Sequence, residues 1–180
     1  MRRITVTIAI VLVAVAIGAP CADAAQINET NSSNLSTVDL SSVSSSINVT
    51  FHGVVRDVNI RLYGVVHTHP DDLDVTLVHG KRGVIVMSDV GDGSDISGVH
   101  LTLDDDAAQP LPGDAQLVTG AYRPRDYRDG SGGAPVKRQP HMSSFNGMKS
   151  QGAWTIVLAD DAPADSGGID GWDLYLRVRS

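Results

Sequence analysis

A single cysteine, Cys21, stands in 180 residues, and only two tryptophans, four tyrosines and two phenylalanines supply aromatic rings. A chain with one thiol has no disulfide framework, whatever the redox state of its compartment, so its stability rests on a sizeable core or on metal ions. Positive charge is also scarce, with 14 Lys and Arg against 21 acidic residues and a net charge of −7. Nucleic acids and anionic membrane surfaces need clustered Lys and Arg, and this balance argues against both. Glutamate is rare beside aspartate, and no long segment carries apolar residues at helical spacing. Frequent Asp together with 18 glycines is the composition of a turn-rich β protein.

The one long apolar run is N-terminal. Arg2 and Arg3 precede Ile4–Ile17, and Ala22-Asp23-Ala24 offers a small-x-small cleavage signature. This predicts a secretory signal peptide over residues 1–24, because the run is shorter than the ~20 residues a membrane-spanning helix needs. Pro20 before Cys21 is wrong for a lipobox. Cleavage after Ala24 removes the cysteine and leaves about 156 residues, enough for one domain with a real core. The 14 basic residues then fall to 12 and the 21 acidic ones to 20, a net charge of −8. The expected localisation is secreted or periplasmic, with no membrane attachment after cleavage. Residues 25–42, dominated by Asn, Ser and Thr, are expected to form a flexible polar leader. Asn28, Asn31, Asn34 and Asn48 each begin an Asn-x-Ser/Thr triplet, an acceptor pattern that polar linker composition also produces by chance.

The rest, residues 43–180, reads as short strands separated by turns. Ile47, Val49 and Phe51 alternate, as do Val58, Ile60, Leu62 and Val66, with Gly64 placed for a bulge. Leu73–Leu77, Val84–Met87, Val99–Leu103 and a short Leu117-Val118 piece follow, and Gly120–Ser150 is long and irregular. Trp154, Ile156 and Leu158, then Trp172, Leu174, Leu176 and Val178, form a closing pair of strands around a loop of Asp, Ala, Pro, Ser and Gly. About eight short strands with turn signals predict an all-β, jelly-roll-like antiparallel sandwich anchored by two indoles.

The closing pattern Gly152-x-Trp154-x-Ile156-x-Leu158-x-Asp160, with an acidic loop and then Gly171-Trp172-x-Leu174-x-Leu176, resembles the end of the P domain (P/Homo B domain). That module follows the catalytic domain in kexin- and furin-like proprotein convertases and in many secreted bacterial proteases. Val66-His67-Thr68-His69 with Asp72-Leu73-Asp74-Val75-Thr76-Leu77 resembles the family's His-Thr…Gly-Asp-Leu hairpin. Tyr122-Arg123-Pro124, Phe145-Asn146-Gly147 and Gly152-Ala153-Trp154 resemble its next run. Two departures stand out: Asp71 occupies the usual glycine before Asp-Leu, and His79-Gly80-Lys81-Arg82-Gly83 replaces the usual Ser-Pro-x-Gly turn. The resemblance implies a β-sandwich that stabilises an adjoining subtilisin-like catalytic domain and tunes its calcium and pH dependence.

Several groups carry possible chemistry. Asp165-Ser166-Gly167-Gly168 matches most of the sequence around a trypsin-like nucleophile, but Ala164 stands where Gly is required and no histidine has the matching setting. A triad needs a base, an orienting acid and an oxyanion hole, and no Gly-x-Ser-x-Gly elbow exists either. The chain is therefore not expected to be an enzyme. His67 and His69, two apart on a strand, are candidates to share a zinc ion with His79 or His100, although His-x-His alone is a weak signal. The stronger metal expectation is calcium, which takes six to eight oxygens from loops. Asp72 and Asp74, joined by one or more of Asp104, Asp105 and Asp106, are the expected ligands, the alternative being that these aspartates cap turns. Asp160, Asp161 and Asp165 form a further acidic group. Arg123, Arg125, Arg128, Lys137 and Arg138 form a basic group suited to an acidic partner or to plain solvation.

The function expected is that of a secreted, non-catalytic protease-associated module whose partner is a subtilisin-like protease acting in trans. The alternative is a calcium-stabilised adhesion or carbohydrate-binding sandwich unrelated to proteolysis.

Overall fold

The strand alternations close into two sheets packed face to face. The structure, a computed structural model, describes residues 24–127, 137–139 and 141–180; the expected signal peptide as far as Asp23, and Arg128, lie outside them. Thirteen strands run in chain order: β1 (Ala24–Asn31), β2 (Leu35–Thr37), β3 (Ser42–Val49), β4 (Val54–His67), β5 (Leu73–His79), β6 (Arg82–Ser88), β7 (Ile96–Leu103), β8 (Gly120–Tyr122), β9 (Arg125–Asp126), β10 (Lys137–Gln139), β11 (Gly152–Asp160), β12 (Gly167–Ile169) and β13 (Gly171–Arg179). Among the described residues no α-helix forms, and two 3-10 turns, Pro70–Asp72 and Met142–Phe145, interrupt the strands.

One sheet runs β1-β13-β4-β12-β2, with β7 also on β4 and β8 on β7. The other runs β10-β6-β5-β11-β3, with β9 on β6. The long pairings are antiparallel, and the short edge strands β8, β9 and β10 pair in parallel. The all-β sandwich is thus as the alternations predict, with additional short strands that lack enough residues to show a period.

Trp154, Ile156 and Leu158 of β11 and Trp172, Leu174, Leu176 and Val178 of β13 are buried and face the space between the sheets. Trp172 reaches across it, its indole N–H donating to Ser45 Oγ of β3 at 3.1 Å. Gly64 provides the expected irregularity: its φ is +56° and the β4–β7 register shifts between Leu62 and Val65. A Cβ there would run into the carboxylate of Asp170, so the bend requires glycine.

Three expectations are corrected. Residues 24–37 are not a flexible leader. β1 pairs with β13 over eight positions, from Ala24 opposite Arg179 to Asn31 opposite Trp172, and β2 pairs with β12. Only Ile27, Leu35 and Thr37 of these two strands are buried, so the segment adds to the sheet through its backbone and shows little apolar periodicity. Phe51 lies beyond β3 and is 40% exposed rather than inward. Leu117 is buried outside any strand, and the strand follows it at Gly120–Tyr122.

The irregular stretch between β7 and β11 covers β6 and β5, which are buried almost throughout. Leu111, Leu117, Met142 and Phe145 are wholly or almost wholly buried within it. Burial on both sides explains why Val84–Met87 of β6 reads as a continuous apolar run instead of an alternation.

Candidate functional site

β4 ends at His67, β11 ends at Asp160, and the turn Pro70–Asp72 and loop 161–166 cover that end of the sandwich. His67 and Asp160 are wholly buried, with Nε2 and Oδ2 3.3 Å apart. The His69 amide donates to His67 Nδ1 at 3.1 Å, which places the ring proton on Nε2, facing Asp160. Gly167 lies against the His67 ring so closely that a Cβ would overlap it. Thr68 donates to Asp165 at 2.6 Å, and the Asp161 amide donates to the Asp72 carbonyl at 3.2 Å. One link therefore ties the His-Thr end of β4, and the other the Pro70–Asp72 turn, to the closing loop.

Ligand atoms of His69, Asp72 and Asp165 all lie within 4.8 Å of one another. Asp160 Oδ1 is buried without a hydrogen-bond partner. Burial raises the pKa of Asp72, His69 opposes this, and the charge of Asp165 raises it further. Asp161 is raised as well, by burial and then by Asp89 and Asp160. This end of the molecule concentrates negative charge in a partly desolvated setting, where a cation would be favoured.

The ligand set expected from the sequence does not assemble. β7 runs antiparallel to β4 with Ile96 opposite His67 and Leu103 opposite Ile60. Asp104, Asp105 and Asp106 leave β7 at its far end, so at about 3.3 Å per residue roughly 20 Å of strand separates them from Asp72. Asp104 and Asp105 cap turns instead. Asp104 accepts from the Asp106 amide at 2.7 Å. Asp105 accepts from the amides of Met142 and Ser143 at 3.2 and 2.7 Å. That caps the 3-10 turn Met142–Phe145, whose preceding residue His141 makes no side-chain cap. Asp74 is buried within β5 opposite Ala159. Of the expected ligands only Asp72 joins the cluster, with His69 and Asp165 as partners that sequence spacing did not indicate.

The shared histidine site also dissolves. Both ring nitrogens of His67 are committed to Asp160 and the His69 amide. His79 faces the carbonyls of Ala153 and Lys149, at 2.9 and 2.8 Å. His100 Nδ1 accepts from the Gly64 amide at 3.1 Å. Ser166 is exposed, and neither nitrogen of His67 turns to it. In the basic group, Arg123 donates to the carbonyls of Ala107 and Ala108 at 2.6 and 2.8 Å and so pins its own loop, while Arg125 is exposed.

Comparison with known proteins adds little to this geometry. No family model matches the chain, and no curated protein matches it. Among solved structures, the serine protease of Aeromonas sobria is similar over 91% of this chain and 28% of its own, with 14% identity and a TM-score of 0.47. The complex of the Aeromonas sobria serine protease and the chaperone is similar over 88% of this chain and 26% of the matched chain, at 15% identity and a TM-score of 0.42. The chain spans under a third of the length of either match.

Proposed function

We propose that this chain is a P-domain-like, non-catalytic module that acts with a subtilisin-like serine endopeptidase. The observation that carries the reading is the contact between residues of separate motifs. His67 and Asp160, and Thr68 and Asp165, are 93 and 97 residues apart and meet at one end of the sandwich. Motif residues that make one another's hydrogen bonds behave as parts of a shared core, which chance matches along a chain do not. Both nitrogens of His67 are engaged, by Asp160 and by the His69 amide, so this histidine is not placed to act as a general base for Ser166.

A calcium ion belongs to the same proposal, moved to the end where Asp72 and Asp165 meet. The two carboxylates suit calcium, and Asp160, whose charge acts on Asp72, has a buried oxygen without a partner. The bound ion would hold the closing loop against the Pro70–Asp72 turn.

The test is capture from the secreted fraction of the source, followed by labelling of the captured material with a serine-directed fluorophosphonate. A labelled subtilisin-like protease is expected, together with no casein turnover by the purified protein itself. Casein turnover that disappears in Ser166→Ala, or repeated capture of polysaccharide with no labelled protease, would overturn the proposal.

A further inference from the structure

A second polar surface lies on the outer face of the β1-β13-β4-β7 sheet, away from the His67 end, and surrounds a depression of about 400 Å³. Ile27, Leu174, Leu176, Val58, Ile60, Leu101 and Leu103 point inward. Their neighbours therefore point outward and line up across the strands. Gln26, Arg177 and Asp57 form one row; Asn28, Tyr175 and Asn59 the next; Asp173, Arg61 and Thr102 the third.

The charges lining this depression are paired across the strands, while Asp104 and Asp106 act on Asp57 from its edge. Arg177 stands opposite Asp57, and Arg61 opposite Asp173, in direct cross-strand register. Between the two charged pairs lies the uncharged row of carboxamide, phenol and carboxamide. The floor is organised in advance. Asp173 accepts hydrogen bonds from the hydroxyls of both Tyr63 and Tyr175, the second at 2.7 Å, and the Arg61 guanidinium lies 4.8 Å from the Tyr63 ring centre. Arg61 Nε and Asp173 Oδ1 nevertheless remain buried without hydrogen-bond partners. A small shift of the Arg61 fork toward the depression would bring its Nε to a polar ligand.

An anion would find each arginine already neutralised by an aspartate. A cation would meet Arg61 and Arg177 in the lining itself, whereas Asp104 and Asp106 act only from its edge. An apolar ligand would strip water from three carboxamides without replacing their hydrogen bonds. The ligand that fits is uncharged and carries closely spaced groups that both donate and accept. Asn and Gln carboxamides present a donor and an acceptor side by side, which matches vicinal hydroxyls, and the half-buried Tyr175 ring offers a flat apolar floor. The volume falls within the roughly 300–1,000 Å³ of small-ligand sites. We infer that this depression binds a neutral oligosaccharide, through Asn28, Asn59, Arg61 and Tyr175. The inference stands on the sheet register and not on the protease-accessory reading, so the two can fail separately.

The experiment is calorimetric titration of the full secreted protein with cellohexaose, maltohexaose and chitohexaose, and with an oligogalacturonate as the anionic comparison. Saturable binding of at least one neutral hexasaccharide, with none of the oligogalacturonate, is expected. Asn28→Ala on the edge strand should weaken it tenfold or more with its melting curve unchanged, and Asn59→Ala in the centre should weaken it likewise while remaining folded, although it loses the bond to Asp57. Tyr175→Phe, which keeps the ring and the fold, should weaken binding less. Absence of saturable binding by all three neutral sugars would overturn the inference. So would preference for the anionic one, or undiminished binding by a folded Asn28→Ala/Asn59→Ala variant.

Discussion

The imidazole of His79 lies flat on the indole of Trp154, with ring centres 4.0 Å apart and planes within 4°. Phe145 meets the other side of the cluster edge-on at 5.2 Å. Trp154 donates to the Ser150 carbonyl at 2.9 Å, and the ring nitrogens of His79 face the carbonyls of Ala153 and Lys149. The rings therefore hold the end of the irregular stretch against β5 and β11. Trp154→Ala should cost about 3–5 kcal/mol, a large share of the roughly 5–15 kcal/mol typical of a domain. His79→Ala should cost less but expose the indole. Acrylamide quenching of tryptophan emission, weak in the wild type and stronger in His79→Ala, checks this arrangement.

Trp172 works between the sheets. Trp172→Ala should abolish stable secretion, for the same cavity cost. Ser45→Ala removes only its hydrogen-bond partner and should lower stability by about 1 kcal/mol. Tyr175→Ala, on the outer face, should be milder than either tryptophan variant but measurable, because Tyr175 donates to Asp173. Chemical denaturation midpoints of the variants provide the ranking.

Calcium is expected to raise the melting temperature and a chelator to lower it. Binding to the folded state alone adds about 2.7 kcal/mol at a hundredfold excess over Kd. Asp72→Asn/Asp165→Asn should abolish the response, whereas Asp104→Asn should retain it. Asp105→Ala should lower stability by about 1 kcal/mol with or without calcium, because its carboxylate caps a turn. Identical melting curves in calcium and in chelator would remove the ion from the account.

The pH response should show two opposed slopes. Asp72 and Asp161 have raised folded pKa values, chiefly through burial. The folded state binds their protons more readily than the unfolded chain, so stability rises as pH falls through the window just above the ordinary carboxylate value of about 3.9. Asp173 behaves oppositely. Burial pushes its pKa up, but hydrogen bonds from Tyr63, Tyr175 and Thr30 and the charge of Arg61 outweigh that and hold it low. Its contribution is complete above the ordinary carboxylate value and is lost as pH falls toward its folded value. In calcium-free buffer the melting temperature should therefore climb on mild acidification and drop on stronger acidification. Asp72→Asn/Asp161→Asn should flatten the climb, and Asp173→Asn should remove the drop while lowering stability at neutral pH.

The sequence by itself determined the sandwich and its anchors. Period-two burial at Trp154–Leu158 and Trp172–Val178, and the bend at Gly64, follow from local rules that a strand obeys wherever it pairs. The strand character of Ala24–Asn31 was hidden because an edge strand joins through backbone hydrogen bonds, which composition does not encode. The acids at the His67 end show the same limit. Asp72, Asp104, Asp105 and Asp106 look alike along the chain, and only the antiparallel course of β7 beside β4 sends Asp72 to one end and the other three to the opposite one. The neutral polar face is equally a product of pairing. Asp57 and Arg177, or Arg61 and Asp173, lie more than a hundred residues apart, and they stand opposite one another only once β4 and β13 are in register.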